Sequence, residues 1–584
     1  MKQREMRKSI INLKIILVAG AMLFAPLACT DLDEEVFTSI TQDEFLSTSE
    51  EFIAALGAAY GPLTNWASNQ APFSLAEVST DEFMVGAKGP DWFDGGHWIR
   101  MHQQQWEPGD PVITDSWPEI FQGISAANRL LFQFENSDSE EAAGFINELR
   151  GLRAMYYYYL MDFYGNVPIV DSFEDETASN NADFQAGRVE AYNFIESELN
   201  AVVAGFADSR TSTPYGRIHY WVARALQAKL YINASIYKTG MPNMDETADL
   251  EAGLAAVTEI IDEGPYVLED DYFANFEVAN ENSGEIIFNI VYDNVFAQGN
   301  NLAVMSLTDV VAQQRFGLGT SWNGFSTLTE FYDSYINPDV NPGPTGPGVN
   351  LNGEPVTEGI TQDVRNANFI VGPQFNSDGD CIEDNPFVDP EFDRQFRGGV
   401  DGPEPPDGEG FPCVVYTPVH NELGPNGCRQ CGARLGKFEF AIVTDQHQSF
   451  DYPLLRLADM ILLRAEYLGR LNGYNYNTPE ALALVNQIRT RAGVDPYTTL
   501  DEDLLLQERG REMWAESTRR QDLIRFPGTN GGLTRFNDWW LFKNDLTNEN
   551  PDTSPTDPIR NVYPIPLAQI EANDALTQNP GYGN

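Results

Sequence analysis

The chain has 584 residues and a formal net charge of −51, with 87 acidic residues against 36 basic ones. A field of that sign repels nucleic acid and polyanionic glycans at long range, which excludes the first as a partner and favours a neutral ligand. A hydrophobic content of 42% and an aromatic content of 12% fit a globular protein with a large core.

Residues 1–28 read as an export leader. Lys2, Arg4, Arg7, Lys8 and Lys14 form its basic start, and Ile15 to Phe24 its apolar stretch. That stretch is too short to span a bilayer, which takes about 20 residues. Pro26-Leu27-Ala28-Cys29 follows, with a small residue directly before the cysteine and Pro26 where a lipobox usually has Leu. Read as lipidated, Cys29 carries acyl chains that bury roughly 0.8 kcal/mol per CH₂, so the chain is held to a membrane by this anchor alone. The alternative is a secreted protein with a stray cysteine. Asp31, Asp33, Glu34 and Glu35 make residues 29–40 an acidic tether.

Helical signals fill residues 41–265. Thr48-Ser-Glu-Glu51 is a capping box that opens a helix through Phe52 and Leu56. Residues 139–164, 187–206, 217–238 and 247–263 repeat apolar residues at helical spacing; the first stops at Gly165 and the last at Gly264-Pro265. Tyr156 to Tyr159 point all round their helix and read as core. From 266 to 450 Gly, Pro, Asn and Asp dominate, with turn-rich stretches at 342–350 and 398–412 and one strand-like run, Glu285 to Tyr292. A loop-rich region this long on a helical scaffold is usually functional. Helices return in 451–584: one over 453–471 beginning at a proline, one capped by Thr478 with Pro479 at its first position and running to Gly493, and one opened by Thr499-Leu-Asp-Glu502 and running to about Arg520. The fold expected is mainly α: stacked antiparallel helix pairs with a large loop-rich insertion carrying a few short strands.

Four cysteines besides Cys29 lie close together, Cys381, Cys413, Cys428 and Cys431. Two disulfides are the default in an exported chain; a tetrahedral zinc is the alternative, though the spacing is not that of a zinc ribbon. Asn376, Asp378, Asp380 and Asp384 alternate oxygen ligands around Gly379 in the manner of a short calcium loop. That segment reads either as a structural calcium site or as a solvated acidic loop, and no other cofactor is implied.

The strongest ligand signal is Asp81, then Asp91-Trp92-Phe93-Asp94-Gly-Gly-His97-Trp98-Ile-Arg100, then Trp106. A glycine-rich loop has no packing need for so many indoles. Trp322-Asn323-Gly324-Phe325 is the second candidate. A pyranose lays its C–H face on an aromatic ring, and its hydroxyls bond Asn, Asp, His or Arg, so exposed rings beside such groups are what a glycan requires. The bland alternative is that these rings cover the edge of the scaffold. Trp539-Trp540 reads as packing. None of the catalytic motifs built on a nucleophile elbow, a zinc-binding helix, a phosphate loop or a dinucleotide fingerprint is present, and nothing singles out a catalytic pair among the carboxylates or the five histidines, so the chain reads as a binding protein and not an enzyme.

Several stretches carry a family resemblance. They are Glu148-Leu-Arg-Gly-Leu-Arg153-Ala with its aromatic run to Tyr164-Gly-Asn-Val-Pro168, Gly216-Arg217 with Ala223 to Asn233, Leu455-Arg456-Leu-Ala458-Asp459 with Leu462 to Glu466, and Asn486-Gln-Ile-Arg489-Thr-Arg491-Ala-Gly493. Glu508-Arg509 with Glu512, Glu516, Arg519 and Asp522-Leu-Ile-Arg525 is another, departing at Ser517, where Gly is typical. The tail adds Tyr563-Pro-Ile-Pro566 and Gln578-Asn-Pro-Gly-Tyr582. Together they resemble the SusD/RagB family of nutrient-binding lipoproteins. The resemblance implies a SusD-like scaffold of divergent tetratricopeptide-type helix pairs, lipid-anchored on the outward side of the outer membrane. It implies capture of a polysaccharide or oligosaccharide and delivery to a SusC-like TonB-dependent transporter within a polysaccharide-utilisation system. The platform would come from one early and one mid-chain region, here Trp92, Trp98 and Trp322 with Asp81, His97, Arg100 and Asn323. A peptide-binding lid of the same architecture is the runner-up, and an exported hydrolase the third reading. Glu508, Arg509, Glu512 and Glu516 are expected to lock helix to helix.

Overall fold

Helices flank the loop-rich region on both sides in the computed structural model, which describes residues 46, 48–174, 178–244, 247–335, 363–383, 413–420, 422–442, 445–541 and 554–583. The leader, Cys29, the acidic tether, both turn-rich stretches and Asp384 lie outside the described residues. From Thr48 onward the chain forms one compact unit. None of its described helices is long and apolar enough to cross a membrane.

Helix α1, Ser49–Tyr60, begins at the expected capping box: Glu51 N–H donates to the Thr48 hydroxyl, and Thr48 N–H donates to the Glu51 carboxylate at 3.1 Å. The longest helix, α2 at Pro111–Glu135, has no counterpart in the sequence reading. Pro111 sits in its first turn, where a missing N–H is harmless, but Pro118 and Gly123 fall inside and mask the pattern. Gly123 is required there, because a Cβ would lie 2.1 Å from the ring of Tyr156. Tyr156 belongs to α3, Ala142–Tyr164, which stops at Gly165 with φ 72°. Helix α4, Phe184–Gly205, is capped by Asp183, and α5 spans Tyr220–Ile232. The single helix expected over 217–238 breaks at Asn233, whose amide donates to the Lys229 carbonyl at 2.9 Å, and a short turn of helix follows at Ala234–Thr239. Helix α6 covers Thr247–Glu263.

Eight short strands are described: β1 Phe83–Val85, β2 Ile286–Ile290, β3 Phe325–Thr327, β4 Phe369–Ile370, β5 Gly372–Pro373, β6 Val415–Tyr416, β7 Arg434–Leu435 and β8 Tyr452–Arg456. They pair antiparallel as β1–β3, β2–β8, β4–β7 and β5–β6. The helix expected from Pro453 therefore starts later. Residues 452–456 are all buried and pair with β2, and α7 runs Leu457–Leu471. Helix α8, Pro479–Arg491, is capped by Thr478 as expected. Helix α9, Glu502–Met513, is capped by Asp501 rather than Thr499, with Leu504 N–H donating to its carboxylate at 2.9 Å. It does not reach Arg520. The chain turns through left-handed Ala515 and Ser517, φ 61° and 57°, before α10, Arg519–Arg525.

Successive helices stack: α1 on α2, then α3, α4, α5, α6, α7 and α8 each against the one before. The tail closes the stack. Tyr563 donates its hydroxyl to Leu75 O at 2.7 Å, and Asn579 bonds the carbonyls of Tyr164 and Tyr563 at 2.6 and 2.7 Å.

The seam between the C-terminal helices and the loop-rich region is ionic. Arg456 bonds Glu512 at 2.8 Å, Glu516 at 2.7 Å and also Glu285, all fully buried. Arg365 meets Asp363, Glu508 and Glu512 at 2.9, 2.8 and 3.1 Å, and Lys437 meets Glu516 at 2.6 Å. Arg509 joins Asp459 to Asp522, each at 2.8 Å. Burial alone would raise the Glu512 carboxyl, but Arg491, Arg456 and Arg365 outweigh it and hold it down at about 2.

Candidate functional site

Strands β1 and β3 hold two loops side by side, residues 86–96 and 317–324. Loop strain is concentrated here: Trp92, Asp94 and Asn323 adopt φ of 58°, 40° and 50°. Left-handed backbone at residues other than glycine persists only where the surroundings enforce it, and it clusters at functional sites. The enforcing contacts are visible. The Trp92 indole N–H donates to Trp322 O, and the indole lies so close over Gly324 that a Cβ there would sit 2.4 Å from the ring. Lys88, 5% exposed, donates to Gly86 O at 3.3 Å and Gly324 O at 3.2 Å, stitching one loop to the other. Burial, and then the nearby Arg434 and Arg429, push its pKa well below the usual lysine range. Backbone bonds from Trp322, Asn323 and Gly324 to Val304, Leu307 and Met305 (2.6–3.0 Å) anchor the second loop from behind.

A third segment, 422–434, braces the first loop. Ala87 and Leu423 bond at 2.9 Å, Gly89 and Pro425 at 2.7 Å, and Arg429 pairs with Asp91 at 2.6 Å. This segment is tied by the Cys428–Cys431 disulfide, and a second disulfide joins Cys381 to Cys413. The four clustered cysteines thus form two disulfides and leave no thiolate set for zinc. In the acidic loop the Asn376 side-chain oxygen accepts the backbone N–H groups of Asp378 and Asp380 at 3.0 and 2.8 Å, closing a turn. Among the described residues no three His, Cys, Asp or Glu side chains converge on a point that could hold a metal ion.

The candidate ligand residues separate into two sets. Trp92 and Trp322 are half-buried and share the loop junction. The Trp322 indole makes no hydrogen bond or ring contact with another described residue, and the residue is partly exposed. Asn323 is 3% exposed, and neither atom of its amide has a partner. The other set is structural. Trp98 is fully buried, wedged 5.5 Å from Trp92 and 5.4 Å from Phe325, with its N–H on Asp94 at 3.0 Å. It supports the platform from below and cannot touch a ligand. His97 is equally buried, bonded to Asp94 O at 2.8 Å, and burial lowers its pKa. Arg100 is held by Asp110 and by Gly95 O at 2.9 Å. Asp81 pairs with Arg519 at 2.6 Å and lines a different cavity of about 360 Å³ with Glu330, Phe331 and Arg511. Trp106 is buried against Tyr563. Alternation of charge and ring in the sequence does not reveal which rings face inward: a helix over His97–His102 turns Trp98 into the core. Sequence reasoning passed over Phe93, which is 48% exposed beside Trp92. Its place between Trp92 and Asp94 in the same strained loop is the signal that marks it.

Glu77 and Glu82 are the carboxyls whose ionisation is most disturbed near the platform. Burial, and for Glu82 also the charge of Glu77, raises both above the usual range. Neither is exposed, and their oxygens accept Ser517 N–H at 2.7 Å and Ala515 N–H at 2.9 Å. They lie behind β1 with no route to a substrate, so they are a structural pair.

Two family models match the chain: one described as the SusD family over residues 432–582, the other as starch-binding associating with outer membrane over residues 34–232. The starch-binding protein SusD of Bacteroides thetaiotaomicron is 25% identical over 529 residues, covering 87% of this chain and 85% of its own. Among solved structures, a SusD superfamily protein from Parabacteroides distasonis superposes with a TM-score of 0.65 at 19% identity, covering 92% of this chain and all of that one. Surface glycan-binding protein A from Bacteroides thetaiotaomicron, solved with laminarihexaose, superposes with a TM-score of 0.61 at 19% identity over 91% of this chain and all of that one.

Proposed function

Since the chain belongs to the SusD family, we propose that it is a non-catalytic, surface glycan-binding lipoprotein, anchored through Cys29 on the outward side of the outer membrane. It captures a neutral polysaccharide or oligosaccharide and passes it to a SusC-like TonB-dependent transporter. The starch-binding relative and the laminarihexaose-bound structural neighbour support the ligand class.

The observation that carries the reading is the pair of partly exposed indoles at the loop junction, Trp92 and Trp322, with Phe93 48% exposed in the same loop as Trp92. A sugar ring laid on Trp322 offers its C–H face to the indole, and exposed Phe93 can flank it. The contacts are few and open to water, so binding at one ring is weak and release is easy. A neutral ligand fits best, because Arg429, an exposed cation in the segment that braces the platform, is already paired with Asp91.

Affinity gels cast with neutral and anionic polysaccharides test this. Retardation by a neutral glycan, lost in Trp322→Ala and weakened in Trp92→Ala, is expected. Trp98→Ala should instead lower stability. No retardation in any gel sinks the glycan reading, and peptide binding in its place would make the protein a peptide-uptake lid. Full retardation of Trp322→Ala would remove the platform from the site.

A further inference from the structure

Lys88 stands where three segments meet, and its backbone and side chain serve different ones. Its backbone closes a tight turn: Lys88 N–H donates to Asp91 O at 2.8 Å, and Asp91 N–H donates to Lys88 O at 3.3 Å. Left-handed Trp92 follows that turn directly. Lys88 also lies in a backbone bridge with Asn426 of the bracing segment.

The side chain crosses to the second loop. Among the described residues two hydrogen bonds join residues 86–96 to residues 317–324: Trp92 Nε1 to Trp322 O, and Lys88 Nζ to Gly324 O. Gly324 is thus held twice, with the Trp92 indole packed where a Cβ would stand and the amine on its carbonyl.

The amine has no carboxylate partner among the described residues. The charges around it are Arg434, fully buried, and Arg429, whose own partner is Asp91. An uncharged amine has two hydrogens, and Gly86 O and Gly324 O take them. A third proton would bring a charge with no carboxylate to meet it.

We propose that Lys88 is the positioning residue of the glycan platform. Buried at 5% exposure, it touches no sugar; it sets the place of Trp92 against Trp322, on which binding depends. This rests on the glycan reading above and adds to it the residue that holds the two rings together.

The test uses Lys88→Met, which keeps the bulk of the chain and removes both donors, and Lys88→Gln, which keeps two uncharged N–H donors on a shorter chain. Melting curves establish that each is folded at the temperature of measurement; should Lys88→Met not fold, Lys88→Gln carries the same comparisons. In gels cast with neutral polysaccharides, soluble starch and laminarin among them, Lys88→Met should bind about tenfold more weakly than wild type, with Lys88→Gln between the two. The loss should depend on the ring that Lys88 places. In a Trp92→Ala background Lys88→Met should cost less than about twofold, because ring and amine act as one unit. Tryptophan emission should shift to the red in Lys88→Met and stay in place when the same change is made in Trp92→Ala. Wild-type binding with an unchanged spectrum in folded Lys88→Met overturns the proposal. So does a loss of equal size with and without Trp92, which marks a general weakening of the fold. If no glycan retards wild type, the glycan reading falls and the spectra alone decide: a shift confined to protein that has Trp92 keeps Lys88 as the residue that places the rings, and its absence overturns that as well.

Discussion

Two regions of this molecule take polar groups out of water, and they treat them in opposite ways. Around Arg456 every buried charge meets an opposite charge: the guanidinium serves Glu285, Glu512 and Glu516, and Arg365 and Arg491 serve the same acids from other sides. At the platform the accounts stay open. Asn323 has no partner, and Lys88 has only carbonyls. A closed network fixes elements against one another and needs nothing further. The open one lies under rings that reach the surface, Trp92, Trp322 and Phe93. Substitutions in the first region should therefore act on stability, and in the second on binding.

The largest effect should come from opening the closed network. Arg456→Met leaves three carboxylates facing one another without their shared cation. Removing one partner of a buried ion pair costs about 3–5 kcal/mol, and chemical denaturation should show a loss at the top of that range. A loss under about 1 kcal/mol would mean that water or neighbouring cations can replace Arg456, and the contrast between the regions would fail.

The seam between the regions is the Glu77–Glu82 pair, which joins the approach to β1 to the turn at Ala515 and Ser517. Burial raises Glu77 from the ordinary 4.5 to about 7. A carboxyl raised in the folded state contributes stability below its unfolded pKa and loses it as pH rises through the folded value. Wild type should therefore lose up to about 3 kcal/mol relative to Glu77→Gln between pH 4.5 and above 7. The two melting curves should converge in acid and separate in mild alkali, with the variant the more stable. Glu512, paired with Arg491, Arg456 and Arg365, is shifted the other way and weakens the fold only in strong acid.

How much of this was legible depends on what each signal encodes. Part of the network could be read because Glu508, Arg509 and Glu512 share one face or turn of α9; Glu516, beyond the helix end at Met513, and the partners Arg456, Arg365 and Lys437 come from elements that spacing does not connect. Thr48, Thr478 and Gly165 marked helix ends because caps are local chemistry. The start of α7 was misread because Pro453 suits a first helical turn as well as an edge strand, and only the distant β2 decides between them. The platform was legible as a loop rich in tryptophan, but not as a geometry. Trp92 and Trp98 are six residues apart in similar surroundings; one lies half-buried at the surface and the other supports it. The pairing of Cys428 with Cys431 was likewise one choice among several until the loops were placed.

A moderate effect should follow from adding one methyl group at the platform. In Gly324→Ala the new Cβ meets the Trp92 indole, and the half-buried ring can yield by swinging outward. That breaks its bond to Trp322 O at a cost of about 1 kcal/mol in stability. Glycan affinity should fall about tenfold, equivalent to about 1.4 kcal/mol. Tryptophan fluorescence should shift to the red as the indole enters water. An unchanged spectrum with weaker binding would place the damage elsewhere in the loop.

The smallest effect tests the one departure from the family pattern, Ser517. The position requires left-handed backbone, φ 57°, which costs an L-residue about 1–2 kcal/mol and glycine almost nothing. Serine offsets this with its hydroxyl, which accepts the Trp66 indole N–H at 3.1 Å and meets the Tyr452 hydroxyl at 2.9 Å, all out of water. Ser517→Gly relieves the backbone but strands the Trp66 N–H, so the terms nearly cancel and stability should change by less than about 1 kcal/mol. Ser517→Ala keeps the strain and loses the hydroxyl, so it should be the less stable of the two by about 1–2 kcal/mol. Equal melting temperatures for the two variants would show that the turn carries no strain. A Gly variant clearly more stable than wild type would show that the hydroxyl contributes little, and that the closed region, like the open one, tolerates an unpaired group.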